Sequence, residues 1–332
     1  MNDGNIVEVK ELVRRFDELV AVDGVSFDVK KGEVFGFLGP NGAGKTTTMN
    51  MLSTIIAPTS GTAVVNGYDI VAQKNEVRES IGMVFQDPSL DDTLTARENL
   101  EFHCVVYHIP RSDRVSRMRE VLEMVSLTDR ADDRVETYSG GMKRRLEIAR
   151  GLLHYPKVLF LDEPTIGLDP QTRNYIWEYI EGLKRREGIT IFLTTHYMEE
   201  AEHCDRIAII DLGVIIALDT PDALKTQVGG DIIKITTDDD DAALIELRER
   251  YPDIEMLKDP ECKLCFERER GEEFVPELIR EFGVRIVSIN VHRPTLDDVF
   301  LKMTGKEIRD EAGDRKETFM KLVGKMGGPP RR

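Results

Sequence analysis

The hydrophobic positions of this chain fall into two kinds of run. Val34–Leu38, Val158–Leu161 and Ile189–Leu193 are continuous and short, the mark of strands buried on both faces, and Gly82–Phe85 reads as a further strand. Thr46–Ile56 instead carries Met49, Leu52, Ile55 and Ile56 at helical spacing. Ile6–Val9 and Val25–Val29 alternate, which suits an antiparallel β subdomain at the edge of the core. Residues 96 to about 154 are mostly helical in period, with Val115, Met118, Leu122 and Val125 on one face after a possible cap at Ser112. Asp169 caps a further helix with Pro170 in its first turn, running to about Arg186.

A second pattern begins near residue 230. Strand Ile232–Thr236, helix Asp240–Arg250, strands near Ile254–Leu257 and Leu264–Arg268, helix Glu273–Phe282 and strand Val284–Val291 give the split order β-α-β-β-α-β. The acidic run Asp238–Asp241 reads as a helix cap and first turn, and Pro294–Leu301 as a capped terminal helix. Beyond Lys306, Phe319, Leu322, Val323 and Met326 fall at helical spacing before Gly327–Pro330 ends the run, a short helix in a charged tail that either docks on a partner or stays mobile. The expected fold is α/β: a core with antiparallel β and helical subdomains, then a small C-terminal α+β domain of ferredoxin-like order. The corresponding boundaries are 1–224, with the helical subdomain at about 87–154, then 225–305 and a tail at 306–332.

Composition narrows the partners. With 332 residues, 41% of them apolar, the chain has the length of two domains or one large one and can bury a real core. Its 45 basic against 61 acidic residues give a net charge of -16, opposite to the basic face that a nucleic-acid backbone requires. No run approaches a membrane span and no secretion signal opens the chain, which predicts a cytoplasmic protein. Four scattered cysteines suit a reducing compartment; Cys262 and Cys265 lack a second pair to complete a zinc site, so Cys262–Phe266 reads as an alternating strand with incidental thiols.

The chemistry gathers at the ends of the apolar runs. After Leu38, the residues Gly39-Pro40-Asn41-Gly42-Ala43-Gly44-Lys45-Thr46 match the phosphate-loop pattern G-x-x-x-x-G-K-[ST] without a mismatch. Its glycines let backbone N–H groups turn inward around phosphate oxygens, and the loop opens onto a helix start whose dipole favours the same anion. The α/β core is therefore expected to be a phosphate-loop nucleotide-binding core, and the chain to bind a nucleoside triphosphate. Leu161 is followed by Asp162 and Glu163 at a strand tip, where open α/β sheets place ligands. Asp162 is expected to hold magnesium with the Thr46 hydroxyl, and Glu163, aimed differently, to orient the attacking water. Tyr138-Ser139-Gly140-Gly141-Met142 precedes an apolar-periodic run, a second helix start fitted to an anion.

Together these segments resemble the ATP-binding-cassette (ABC) ATPases over residues 1 to about 224. The resemblance implies that Phe16 stacks on adenine, that Gly39 to Thr46 with Thr47 hold the phosphates, and that Gln86 is the Q-loop residue and a magnesium contact. It further implies that Tyr138–Met142 is the signature, Gly167-Leu168-Asp169 the D-loop and His196 the switch histidine that meets the γ-phosphate. Lys45, Gln86, Glu163 and His196 are then the catalytic set, and Ser139, Gly140, Gly141 and Asp169 line the nucleotide of another subunit. Met142 stands where the family pattern has Gln, and Phe16 where Tyr is commoner; neither change removes a phosphate contact. Each residue keeps an ordinary alternative: Phe16 beside Val13 and Leu19 as core, Gln86 as a surface amide, His196 as a histidine at a strand end. Pro294–Leu301 resembles a C-terminal motif of the drug-resistance branch, the daunorubicin-exporter type.

The resemblance implies an ATP- and Mg²⁺-dependent homodimer, peripheral on the cytoplasmic face of the membrane, that drives a separate transmembrane permease of an exporter. The helical subdomain would contact that permease. The alternative is a soluble regulatory ABC ATPase acting on ribosomes or DNA, disfavoured by the single short cassette and the acidic balance. An importer ATPase would need a different C-terminal domain, and a kinase or GTPase would leave the Ser139–Gly141 segment unexplained. The transported molecule is not legible, because no substrate pocket is expected in such a subunit.

Overall fold

A long hairpin opens the chain, β1 (Asn5–Phe16) against β2 (Leu19–Lys30), paired antiparallel down to Phe16 opposite Leu19. Register shifts between Val9 and Leu12 and again near Arg14 break the strict alternation, which is why only Ile6–Val9 and Val25–Val29 stand out by period. The computed structural model describes residues 4–304 except 88, 255, 258, 260 and 261. These form two compact units that divide between Gln227 and Val228.

In the first unit, β3 (Val34–Leu38) is buried throughout and passes through the glycine-rich loop into α1 (Lys45–Leu52). The expected extension of that helix to Ile56 is not found. Ser53 closes it, Thr54 takes a left-handed φ of 65° and Ile55 is 51% exposed, so the apolar spacing there belongs to a turn. Strands β4 (Ser60–Val65) and β5 (Tyr68–Asp69) complete an antiparallel sheet of order β2-β1-β4-β5. After α2 (Lys74–Ser80) and β6 (Ile81–Val84) come three helices, α3 (Ala96–Val106), α4 (Arg111–Met124) and α5 (Gly140–Leu152). Thr95 and Glu98 form a reciprocal capping box on α3. Ser112 is not the cap of α4: Pro110 holds that position, Val115 is 61% exposed, and Met118, Val121 and Leu122 make the buried face.

The remainder of the unit is β7 (Val158–Asp162), α6 (Pro170–Glu187), β8 (Thr190–Thr195), α7 (Met198–Ala201), β9 (Arg206–Asp211), β10 (Val214–Asp219) and α8 (Pro221–Val228). A six-stranded sheet runs β10-β9-β3-β8-β7-β6, parallel except for β10. Its register sets Leu38 beside Thr195 and Asp162 beside Thr194, so β3, β8 and β7 end abreast. Whatever follows these three strands must emerge at one place. The interior is filled by phenyl rings: Phe192 packs against Phe35 and Phe37 at 5.7 Å and against Phe160 at 5.3 Å between centroids.

The second unit holds β11 (Asp231–Thr237), α9 (Asp240–Arg250), β12 (Leu264–Arg268), α10 (Gly271–Glu281), β13 (Ile286–His292) and α11 (Leu296–Thr304). Its antiparallel sheet has the order β12-β11-β13, with Ile233, Ile235, Phe266, Phe274 and Leu278 in the core. The strand expected near Ile254–Leu257 is reduced, among the described residues, to one bridge between Met256 and Phe266. Asp239 caps α9 by accepting from the Ala242 N–H, and Thr295 and Asp298 cap α11 reciprocally. Cys262 precedes β12 rather than alternating within it; Leu264, Cys265 and Phe266 are buried in succession, and burial pushes the Cys265 thiol up to about 12. The tail helix expected around Phe319–Met326 lies outside the described residues.

Phe192→Ala should destabilise the first unit by about 3–5 kcal/mol, because it empties the centre of the ring cluster. Urea unfolding would show this as a lower midpoint, and an unchanged midpoint would contradict the packing described.

Candidate functional site

Two glycines of the phosphate loop are fixed by the protein's own backbone as well as by ligand access. A Cβ on Gly39 would lie 2.2 Å from the Ile210 carbonyl oxygen, and one on Gly44, where φ is 105°, 2.5 Å from that of Ala21. Gly44 takes the N-cap position of α1, and no side chain caps that helix, so its first N–H groups remain for an anion. Lys45 is buried, and its ammonium donates to the carbonyl oxygens of Gly39 at 2.8 Å and Pro40 at 3.1 Å. Asn41 and Gly42 are exposed, Pro40 and Thr47 half-buried and Ala43 buried.

The strand ends supply the acids. Glu163 departs from β7 with a left-handed φ of 44°, its N–H held by the Thr194 carbonyl at 3.2 Å and hydroxyl at 3.1 Å. That turn sends Asp162 and Glu163 in different directions, at a backbone cost of about 1–3 kcal/mol. Glu163 Oε1 lies 3.4 Å from Lys45 Nζ and its Oε2 lies 3.2 Å from His196 Nδ1. Burial pushes the Glu163 carboxyl up, but His196 and the Lys45 charge outweigh it and leave the group below the usual carboxylate range. Asp162 goes the other way: burial dominates and raises it, although the Thr194 and Thr46 hydroxyls favour its charged form. Thr46 Oγ1 and Thr194 Oγ1 both donate to Asp162 Oδ1, at 3.2 and 2.5 Å.

A buried carboxylate beside a hydroxyl is a hard-oxygen pair of the kind magnesium takes when substrate and water supply its remaining ligands, so Thr46 and Asp162 fit that ion. A protein-only metal cage is absent: among the described residues no three His, Cys, Asp or Glu side chains cluster as ligands.

One residue that sequence reasoning left unassigned dominates the support of this cluster. Arg144, buried on α5, donates to the carbonyl oxygens of Pro164 and Phe85 at 2.6 Å, Asp162 at 2.9 Å and Glu163 at 3.2 Å, and pairs with Glu147 at 3.0 Å. Glu147 in turn accepts from the Ser89 N–H at 2.8 Å. The helix that starts at Ser139 is thereby tied both to the tip of β7 and to the segment carrying Gln86. The hint in the sequence was faint: an Arg in a helix whose alternate turns are apolar, with no mark of where its guanidinium goes.

The other expected residues are placed separately. Ser139 caps α5 through the Met142 N–H at 3.3 Å and is exposed with Gly140, whereas Gly141 is buried. Asp169 caps α6 through Thr172. Gln86 is exposed, and among the described residues no hydrogen bond joins it to Thr46 or Asp162. Phe16 is no core residue: it is 41% exposed at the hairpin end, with the Arg14 guanidinium 4.3 Å over its ring.

Residues 22–166 match the family described as ABC transporter, and residues 220–304 the DrrA1-3-like C-terminal domain of ATP-binding proteins. The chain is 40% identical over 312 residues to a linearmycin resistance ATP-binding protein, LnrL, of Bacillus subtilis, covering 92% of this chain and 100% of that one. It is 41% identical over 322 residues to the daunorubicin resistance ATP-binding protein DrrA2 of Streptomyces coeruleorubidus, covering 95% and 99%. The chain belongs to the ABC transporter ATP-binding proteins. Solved relatives agree in fold: cbiO1 of Clostridium perfringens, part of the cbiONQ transporter complex, superposes with a TM-score of 0.64 at 28% identity over 76% of this chain and 97% of that one. The dimeric cassette MJ0796 bound to ADP and Pi does so with a TM-score of 0.58 at 28% identity, over 64% and 98%.

In this ABC ATPase, Arg144→Ala should strip the Glu147 carboxylate of its ion-pair partner and several carbonyls of a donor, at a cost of about 3–5 kcal/mol, and should depress hydrolysis. Arg144→Lys, which cannot span the same acceptors, should recover only part of the loss. Thermal melts and ATPase rates of the two variants check this, and a wild-type rate in Arg144→Ala would contradict it.

Proposed function

We propose that this chain is the ATPase subunit of an exporter, that two copies close head to tail on two ATP molecules, and that a separate membrane subunit carries a drug-like or lipid-like molecule. The observation that carries the reading is the convergence of Lys45, Glu163 and His196 beside the Thr46–Asp162 pair at one sheet edge. The relatives named for linearmycin and daunorubicin resistance, alike over nearly their whole length, support the substrate class. Dimeric solved cassettes support the pairing of copies.

In this reading Phe16 offers its exposed face to adenine, and the loop Gly39–Thr46 with Thr47 surrounds the phosphates. Phosphate oxygens draw the Lys45 ammonium from the loop carbonyls, since a full anion outbids a carbonyl dipole. Thr46 and Asp162 would hold magnesium, with Gln86 as a further contact, and the ion offsets phosphate charge when bound. Glu163, ionised at neutral pH, orients the water and accepts its proton, while His196 meets the γ-phosphate. Ser139, Gly140 and Gly141 of one copy, with its Asp169, close over the nucleotide of the other. Loss of the γ-phosphate removes contacts made only in the closed state, and the pair opens.

Gln86 and the Arg144 ties would pass that motion to the helical subdomain, whose Phe102, Val105 and Val106 remain exposed on α3 as a surface for the membrane subunit. No helix among the described residues is long and apolar enough to cross a membrane, which fits attachment at the cytoplasmic face through a partner.

Glu163→Gln should cut hydrolysis by about 100-fold or more while ATP binds and holds a dimer, seen by light scattering with and without ATP. Full turnover would remove Glu163 from its role. The wild-type protein should also co-purify with a transmembrane subunit from membranes; failure to do so would overturn the exporter reading and leave the ATPase intact.

A further inference from the structure

Strand pairing holds Asp162 beside Thr194 and then stops, yet Glu163 and His196 must stay aligned beyond it. Glu163 reaches across that gap to Thr194 and His196, and a second carboxylate spans it too. Glu200, on the single turn α7, is 1% exposed. Its Oε1 accepts a short hydrogen bond from Thr165 Oγ1, on the segment leaving Glu163, and its Oε2 accepts from Thr195 Oγ1 at 2.7 Å, next to His196. Arg173 Nε lies 3.9 Å from Oε1, its guanidinium sits 4.2 Å over the Tyr197 ring, and that ring packs 4.0 Å from the His196 ring. The backbone closes the same circuit. Thr195 Oγ1 also accepts from the Tyr197 N–H at 2.9 Å, the Glu200 N–H donates to the Tyr197 carbonyl at 3.2 Å, and the Leu168 N–H donates to the Thr165 carbonyl at 3.1 Å.

We propose that Glu200 is a positioning residue that binds the Glu163–Asp169 segment to the His196 turn and so sets Glu163 and His196 within reach of each other. Burying a carboxylate is costly, and apolar replacements of buried ion pairs often match or exceed them in stability. Stability alone is therefore a poor reason for this arrangement; two hydroxyl donors from two strand-end segments meeting on the two oxygens of one acid is a geometric constraint. Burial pushes the Glu200 carboxyl up to about 7, against the pull of the Thr195 hydroxyl and Arg173, which accords with a group held by its neighbours rather than by solvent. Sequence reasoning missed it because Glu200 stands in an acidic run that reads as exposed. The proposal rests on the roles given above to Glu163 and His196.

The test is steady-state ATPase kinetics of Glu200→Ala, His196→Ala and the double variant. Glu200→Ala should lower kcat about tenfold or more with KM for ATP within about twofold, since the phosphate loop is untouched. In the His196→Ala background the same change should cost less than about twofold, because its route is already cut. Thr195→Val should reproduce the kcat loss and Thr195→Ser, which restores the O–H, should rescue it; this pair decides the matter if Glu200→Ala does not fold. Multiplicative losses in the double variant, a raised KM at unchanged kcat, or full activity in Thr195→Val would each overturn the proposal alone. Full turnover in His196→Ala would overturn the assignment of that histidine and the proposal with it.

Discussion

Parallel pairing in register is the constraint on which this molecule depends. Because Leu38 lies beside Thr195 and Asp162 beside Thr194, three buried strands finish on one line, and the loop, the acid pair and the histidine turn that follow them have nowhere else to go. The phenyl cluster beneath keeps the strands from sliding. Position is thus settled by apolar packing, and chemistry is added only at the strand tips.

Charge in this region is buried and answered at close range. Lys45 meets Glu163, Arg144 meets Glu147 and four carbonyls, and Glu200 receives two hydroxyls. Ionic groups taken out of water add little net stability, but each has a narrow set of geometries in which it is satisfied. A cluster of them resists partial rearrangement. In the proposed cycle, phosphate oxygens that compete for Lys45 would change the balance on Glu163, and Arg144 links the tip carrying Glu163 to the helix begun by Ser139. One change of partner at the loop is therefore felt at the surface proposed to meet a second copy.

Much of this was legible in the sequence because much of it is local. Ser139 and Asp169 cap the helices that follow them, and the strands Val34–Leu38 and Val158–Asp162 lie where continuous apolar runs place them. The misreadings are local rules overridden. Apolar spacing carried the first helix past Thr54, whose left-handed backbone ends it, and Val115 keeps the helical period while facing solvent. Arg144, Glu200 and the hydroxyl of Thr194 were not legible as supports, since the carbonyl acceptors of Arg144 lie between 18 and 59 residues away and the partners of the others lie across separate strand ends. Sequence spacing points to the groups proposed to react; the ties that hold them arise only after the sheet forms.

The proposed composite site is tested most directly by mixing two variants that are each defective in a different half. Lys45→Ala spoils the phosphate loop and Ser139→Glu sets a carboxylate against the γ-phosphate of the partner's ATP, so each alone should hydrolyse almost nothing. Combined, a mixed pair contains one site with both halves intact, and ATPase activity should return. A mixture as inactive as its two components would contradict a site shared between copies.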